Sequence, residues 1–436
     1  GWCSDRMRRS APLVLLMLML AACGGGGDVE GDGGAGDSRY PRARNDLLAL
    51  VPTAAGTSLA RVDRLTLRPL SGRRVALGPE AVRSFAFSPR RDLLAVGNES
   101  RVVRVVRTRP LEALFTVSPT AGGFPAALAW PTRDRLLALV SGRTHEFVVI
   151  DARTRRVLAR HVISGSLQAV GRSARGLVAL FAPAAGIGSV RLVAVDARGG
   201  LQTTRLARIL AGFAFPRKRG ELIRQQTVGL ALAPDGRRAL VVPAGETVAD
   251  VDLETMKVSY RELSRPVSLL GRLRNWLEPP AQAKAPTEGF VRRAAFVGSS
   301  QVAVTGTDFS VGGGVTTAAP AGLQLIDTHR WRVRTLDDGA SEMLPAGRLL
   351  LVFGGRYRTS RRRAEGIGLR AYSRGGEEGF HLFGSRRIGD VQAAGRYAYV
   401  RTESGTRYRI VDLARGRIRG MIDARAILLS SLVGDA

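Results

Sequence analysis

The feature that most constrains this chain is a recurring unit of four short apolar strands separated by turns. The clearest copy spans residues 82–117, and further copies span residues 126–163 and 228–263. Turn-forming residues separate the apolar segments, as Pro-Asp-Gly does at residues 234–236, so each copy indicates four antiparallel strands. Units repeated every roughly forty to sixty residues predict a β-propeller. Weaker copies begin near Leu167, Phe290, Glu342 and Ile388.

Several units end their third predicted strand with an aspartate, as in VVID and QLID. An aspartate in this position can accept hydrogen bonds from backbone N–H groups two or three residues later, and so fix the turn into the fourth strand. We therefore interpret these aspartates as structural residues rather than metal ligands. They are Asp151, Asp196, Asp252, Asp327 and Asp412.

The two ends of the repeat region complement each other. The segment from Asp46 contains three predicted strands of a unit that lacks its first strand, and residues 426–434, AILLSSLVG, form a lone apolar strand. Pairing these ends would close the ring and remove an exposed sheet edge. We therefore predict an all-β propeller over residues 46–436 with eight blades, or seven if one weak unit is a bent loop.

Two strings resemble a known group of repeats. LALAPDGRRALVV and VVIDARTRRVLA are similar to the degenerate WD-repeat and YVTN-type propellers of bacterial extracytoplasmic proteins, and the resemblance extends over residues 46–434. No unit has Trp-Asp at the end of its third strand, so the intracellular scaffold functions of WD repeats are not transferred. YVTN-type propellers also resemble a sugar lactonase family in fold, which implies an enzyme alternative with no site residue assigned.

The N-terminal residues resemble a bacterial lipoprotein signal. Residues 1–22 carry a basic segment at Met7-Arg8-Arg9 and an apolar run too short to span a bilayer, and residues 1–6 precede an expected start at Met7. The run ends in Leu20, Ala21, Ala22 and Cys23, which is similar to a lipobox. This resemblance implies cleavage before Cys23 and a covalent lipid on its thiol. The alternative to a lipoprotein is a secreted protein that is cut at another site. The twin-arginine route is the alternative to the general export route.

Residues 23–45 are predicted to tether this anchor to the propeller. They are rich in glycine, and Asp28, Glu30, Asp32 and Asp37 make the first part acidic. The lipid anchor would place the propeller outside the cytoplasm, on the outer face of the bacterial cytoplasmic membrane or on another envelope membrane.

The chain has few of the residues and motifs that metal binding or catalysis requires. Both cysteines, Cys3 and Cys23, lie before the propeller, which excludes a thiolate zinc site or a cysteine nucleophile in the folded body. The four histidines have no metal-ligand spacing, and the chain contains no HExxH, Walker A or GxSxG motif. We therefore predict no enzyme activity, no metal and no cofactor other than the covalent lipid.

The chain is strongly basic, with a formal net charge of +29. Only three of its 66 basic residues are lysines, so the excess is compatible either with a surface that binds anions or with a GC-rich coding sequence. One segment concentrates the charge, since residues 355–366 form a predicted hairpin that could bind an anionic polymer or lipid. Its arginines are Arg356, Arg358, Arg361, Arg362 and Arg363.

An insertion at residues 264–289 departs from the repeat. Its apolar residues recur at helical spacing and predict a short helix that ends at Pro279. This helix could pack on the propeller, bind a partner protein or lie on a membrane surface. The apolar stripe consists of Leu269, Leu270, Leu273, Trp276 and Leu277.

The sequence thus predicts a monomeric, lipid-anchored propeller that acts as a binding or scaffold module at the cell envelope. Its expected partners are the membrane and an envelope protein or anionic polymer, and no specific nucleic acid is expected. The alternatives are a lactonase-type or related hydrolase, and a binder of anionic polymer or lipid through arginine-rich loops.

Overall fold

A computed structural model describes residues 46–119, 122–215, 224–263, 289–312, 315–358, 361–403, 405, 407–423 and 432–435. These residues form antiparallel sheets arranged as a β-propeller, and they contain no helix. The strands form because short apolar segments alternate with polar turns, and most strands are buried on one or both faces.

One sheet joins the two ends of the chain, as the sequence predicts. It contains β1 (Asp46–Thr53), β2 (Gly56–Asp63) and β3 (Val75–Gly78), and β34 (Leu432–Asp435) pairs with β1. Leu47 lies opposite Asp435 and Ala49 lies opposite Leu432. The ring is therefore closed by backbone hydrogen bonds between segments almost four hundred residues apart in the sequence.

Four further sheets contain four strands each. The second sheet consists of β4 (Val82–Phe87), β5 (Leu93–Asn98), β6 (Val103–Thr108) and β7 (Leu111–Val117). The third sheet consists of β8 (Phe124–Thr132), β9 (Arg135–Ser141), β10 (His145–Asp151) and β11 (Arg156–Ile163). Another contains β17 (Gly229–Leu232), β18 (Arg238–Val242), β19 (Thr247–Asp252) and β20 (Val258–Glu262). The last contains β30 (Ile388–Ala394), β31 (Tyr397–Thr402), β32 (Arg407–Asp412) and β33 (Arg417–Asp423).

The remaining strands form one fourteen-stranded sheet. Its first run is β12 (Ser166–Ser173), β13 (Gly176–Ala182), β14 (Gly186–Asp196), β15 (Leu201–Ala214) and β16 (Arg224–Thr227). The second is β21 (Gly289–Phe296), β22 (Gln301–Gly312), β23 (Val315–Pro320), β24 (Leu323–Asp327) and β25 (Arg332–Asp337). The third is β26 (Glu342–Ala346), β27 (Leu349–Arg358), β28 (Arg361–Ser373) and β29 (Glu378–Leu382).

This sheet corrects the predicted blade count. Counted as hydrogen-bonded sheets, the propeller has a six-blade arrangement, so the prediction of eight blades and the alternative of seven blades are wrong. Pairing between repeats is the reason: β16 pairs with both β15 and β21, and β23 pairs with both β22 and β27. These bonds merge repeats that the sequence counts separately.

The insertion cannot be compared with its prediction. The apolar stripe from Leu269 to Leu277 lies in residues 264–288, outside the described residues. The described part of the chain contains no helix long and apolar enough to cross a membrane.

The core lies between neighbouring sheets. Between the second and third sheets, for example, Val105 packs in one cluster with Leu128 and Val148. Glycine is needed where strands of adjacent sheets approach closely, since a Cβ on Gly97 would lie 2.7 Å from the Cβ of Pro125. Burial on both faces is the main source of stabilisation, at about 25 cal/mol per Å² of apolar surface.

The propeller has two unlike ends. We use "turn face" for the end that carries the turns between first and second strands and between third and fourth strands, and "hairpin face" for the end that carries the hairpins between second and third strands. Arg61 Nη2 donates to Thr108 O at 2.9 Å, joining the turn-face ends of two adjacent sheets. Asp46 lies opposite Asp63, so the chain reaches β1 at the turn face.

Candidate functional site

The turn face is held in shape by aspartates at the ends of third strands. Asp151 Oδ1 accepts hydrogen bonds from the backbone N–H groups of Arg153 at 2.9 Å and Thr154 at 2.8 Å. Equivalent bonds of 2.8–3.2 Å reach the other four aspartates that the sequence analysis selected. All of them therefore make the contacts expected of turn-fixing residues: Asp196, Asp252, Asp327 and Asp412.

Two features of the turn face were not predicted from the sequence. One is a sixth turn of this kind, and the other is a pair of arginines that bind two of the aspartates. Asp63 Oδ1 accepts from the N–H groups of Leu65 and Thr66. Arg135 lies opposite Asp151 in register and donates to its Oδ2 at 2.7 Å, and Arg396 binds both oxygens of Asp412 at 2.9 and 2.8 Å. An arginine at the start of the second strand is the sequence signal that could have found these pairs.

These contacts favour the ionised form of Asp151 and Asp412. The N–H of Thr154 is the largest cause that lowers the pKa of Asp151 below its ordinary value, and Arg135 adds to it. The Arg396 guanidinium similarly lowers the pKa of Asp412. Within the described residues, no group of three His, Cys, Asp or Glu side chains could hold a metal ion. The arrangement of these carboxylates thus serves the turns.

The turns of this face also carry arginine side chains that take no part in these contacts. Several of them are exposed and form no ion pair within the part of the chain that the structure describes. These guanidinium groups give the turn face exposed cationic donors. They are Arg90, Arg153, Arg198, Arg330, Arg348 and Arg415.

A cleft of about 400 Å³ opens on the turn face between the second and third sheets. Its floor is apolar and consists of half-buried side chains: Leu93, Leu114, Phe115 and Ala152. Its rim is charged and contains more arginines than aspartates: Arg107, Arg109, Arg133, Arg153, Asp92 and Asp134. The volume lies near the lower end of the range of about 300–1,000 Å³ typical of ligand pockets.

Part of this charge is neutralised within the cleft. Arg133 Nη2 lies 2.8 Å from Asp92 Oδ2, and the Ser88 hydroxyl donates to Asp92 Oδ1 at 2.8 Å. Desolvation acts to raise the pKa of Asp92, but Ser88 and Arg133 outweigh it and hold that pKa below its ordinary value. Arg153 has no such partner among the described residues, so the rim keeps a positive excess.

The floor also carries a cation–π contact. The guanidinium carbon of Arg155 lies 5.3 Å from the centre of the Phe115 ring. The cleft therefore combines a stacked aromatic surface with exposed guanidinium groups. This combination suits an anionic group attached to an apolar body.

Arginines near the hairpin face are used differently. Arg208 pairs with Glu262 at 2.7 Å, and Arg293 pairs with Glu342. Arg292 lines a smaller cavity of about 190 Å³, is almost buried and lies 2.6 Å from Asp308. The guanidinium groups of these pairs are thus bound to carboxylates of the protein itself.

The predicted arginine-rich loop is a hairpin between the second and third strands of its run. Arg358 lies opposite Arg361, and Thr317 of the neighbouring hairpin lies opposite Arg358. The backbone therefore brings this loop beside the glycine-rich hairpin of β22 and β23. The side chains of residues 356–364 are outside the described part of the chain, so anion binding by Arg356, Arg358, Arg361, Arg362 and Arg363 stays a prediction.

Other predicted features are placed as follows. Leu20, Ala21, Ala22 and Cys23 lie outside the described residues. Three histidine rings contact backbone carbonyl groups, as His145 Nε2 contacts Gly165 O at 3.1 Å and His161 Nε2 contacts Gly199 O at 2.7 Å. These rings therefore contribute to packing between strands.

Comparison with known proteins gives the fold alone. No family model and no curated protein matches the chain. Among solved structures, dihydro-heme d1 dehydrogenase NirN in complex with DHE is similar over 89% of this chain and 75% of its own, with 13% identity and a TM-score of 0.52.

Two other solved structures are less similar. BamB from Moraxella catarrhalis has 12% identity and a TM-score of 0.45, over 82% of this chain and 93% of its own. The β-propeller domain of Cps50 (Swd1) from Myceliophteria thermophila has 10% identity and a TM-score of 0.40, over 79% of this chain and 86% of its own. At these identities, only the architecture is comparable.

Proposed function

We propose that this chain is a lipid-anchored binding module of the bacterial cell envelope, and that the cleft on the turn face is its binding site. The observation that supports this proposal most directly is the apolar floor at Leu114 and Phe115 beneath a rim that contains the exposed Arg153. Such a cleft can bury an apolar group and donate charge-assisted hydrogen bonds to an anion beside it. The ligand class is therefore an anion with an apolar body.

The similarity of Leu20-Ala21-Ala22-Cys23 to a lipobox supports the proposed location on a membrane of the cell envelope. A diacylglycerol on Cys23 would hold the propeller at the membrane, since two acyl chains anchor a protein stably where one chain is marginal. In Cys23→Ala, we expect loss of fatty-acid labelling and release from the membrane fraction. A variant that stays labelled and membrane-bound would refute the anchor.

Binding in the cleft can be tested in intact bacteria by site-specific photo-cross-linking in the full chain. A photoreactive residue at position 114 should give a discrete adduct, and one at the exposed Leu158 on β11 should not. Reversing the rim charge with Arg153→Glu should abolish the adduct, while Arg143→Glu on the hairpin face should leave it unchanged. Equal adducts at both positions, or no adduct at position 114, would contradict the proposed site.

A further inference from the structure

We propose that the turn face lies flat on an anionic phospholipid bilayer, so that the anion bound by the cleft is a lipid phosphate and the hairpin face is turned outward. This inference rests on the proposed membrane anchor and names the ligand class of the same site. Three features of the turn face support this inference: the point at which the chain joins it, the exposure of its arginines and the composition of its cleft.

The first feature is the position at which the propeller is attached. Residues before Asp46 join the propeller at the start of β1, and Asp46 lies opposite Asp63 at the turn face. A lipid on Cys23 is therefore connected to the turn face through the predicted tether, whereas the hairpin face lies at the other ends of these strands. Anchoring thus brings the turn face to the bilayer first.

The second feature is the distribution of exposed charge. Arg90 lies in a turn of the second sheet, Arg198 and Arg348 lie in separate turns of the fourteen-stranded sheet, and each is exposed on the same face. In the turn of Arg198, the carboxylate of Asp196 is occupied by the backbone N–H groups of Arg198 and Gly200. A broad face of guanidinium groups complements the negative surface of a bilayer, because each basic residue near it interacts with many headgroups.

The third feature is the cleft. Leu114 and Phe115 are half-buried side chains beside Arg153 and Arg155. Arginines beside an apolar cleft suit the boundary between headgroups and acyl chains, where the guanidinium groups can bind phosphate and the cleft can hold an apolar group. Pairs such as Arg208–Glu262 near the hairpin face lack this character, because the acid neutralises the base.

The experiment measures which face lies on the bilayer in the full lipidated chain. Because the only cysteines are Cys3 and Cys23, one introduced cysteine gives a single label in the body. Ala414→Cys labels an exposed turn-face position, and Thr144→Cys labels an exposed hairpin-face position. Each labelled protein is reconstituted in vesicles that contain an acceptor lipid, made of phosphatidylcholine with or without phosphatidylglycerol, and energy transfer to the bilayer is measured.

We expect energy transfer from position 414 to exceed that from position 144 at least about twofold in phosphatidylglycerol vesicles. The difference should disappear without phosphatidylglycerol and at 1 M salt, where the Debye length falls from about 10 Å to about 3 Å. The triple variant Arg153→Glu/Arg198→Glu/Arg348→Glu should also abolish it. The matched control Arg143→Glu/Arg386→Glu/Arg407→Glu reverses three exposed arginines of the hairpin face and should preserve it.

Equal energy transfer from both positions, or loss of the difference in both triple variants, would overturn the inference. These results are distinguishable from failure of the proposed function. If the chain is never lipidated, it will not remain with the vesicles; if the cleft binds another anion, the adduct at position 114 will form in cells while the bilayer shows no preference for the turn face.

Discussion

The two ends of this propeller use the same charged residues for different purposes. On the turn face, Asp151 and Asp252 accept backbone N–H groups, and arginines such as Arg153 remain exposed. Near the hairpin face, Asp337 and Glu262 bind arginine side chains directly. The comparison shows that a large excess of arginine does not by itself define a binding surface. On either face, the guanidinium groups available to a ligand are those that no neighbouring carboxylate binds.

The largest expected effect tests whether charge near the hairpin face is structural. Asp337 Oδ2 accepts from Arg370 Nη1 at 2.8 Å and from the Tyr372 hydroxyl at 3.1 Å, and its side chain is 1% exposed. Asp337→Ala should lower the free energy of unfolding by about 3–5 kcal/mol, because it leaves the buried Tyr372 hydroxyl and the partly buried Arg370 guanidinium without this acceptor. Urea unfolding measures the change.

A spectroscopic readout accompanies this prediction. Burial and the Asp337 carboxylate raise the pKa of Tyr372 to about 12, so Asp337→Ala should lower that pKa in an absorbance titration. Asp338→Ala is the matched control, since Asp338 is exposed beside it. A loss below about 1 kcal/mol in Asp337→Ala, within the range of a surface substitution, would show that this ion pair is dispensable.

An intermediate effect on the free energy of unfolding is expected at low pH. It tests whether the turn-face carboxylates are structural. The pKa values of several turn aspartates are lower in the folded chain than their ordinary value of about 3.9. Their stabilisation is therefore complete above about pH 4 and is lost as the pH falls through the folded values. The aspartates are Asp63, Asp151, Asp252, Asp327 and Asp412.

The measurement is urea unfolding at a series of pH values from 6 to 3. Stability should fall with acid, and Asp151→Asn/Asp252→Asn/Asp327→Asn should flatten the dependence because it removes three titrating groups. Asp390 acts in the opposite sense, since burial raises its pKa, and its stabilisation is lost as the pH rises. An identical pH dependence in the triple variant would mean that other groups control acid unfolding.

The smallest expected effect concerns the exposed arginines of the turn face. Arg153→Glu/Arg198→Glu/Arg348→Glu should change the free energy of unfolding by less than about 0.5 kcal/mol per substitution, because these side chains form no ion pair within the described residues. Thermal unfolding beside the wild-type chain checks this. Destabilisation comparable to Asp337→Ala would remove the distinction between the two ends of the molecule.

The aspartate turns show which contacts can be predicted from the sequence. Asp151 and Asp252 could be assigned because the hydrogen bonds involved are local, joining residues two or three positions apart. Closure by β1 and β34 could also be predicted, because each end lacks a partner that the other supplies. The cleft could not be predicted from the sequence, since Phe115 and Arg153 belong to different sheets that meet only after folding.

The blade count likewise depends on contacts that the sequence pattern does not predict. Local periodicity identifies the repeats, but the parallel pairing of β16 with β21 joins residues about sixty positions apart and leaves no local pattern. By itself, the sequence determined the strand repeat, the turn aspartates and the closure of the ring, because these depend on local pattern and unmatched ends. Only the tertiary structure decided how repeats merge into sheets and which arginines remain exposed, because both depend on contacts between residues distant in the chain.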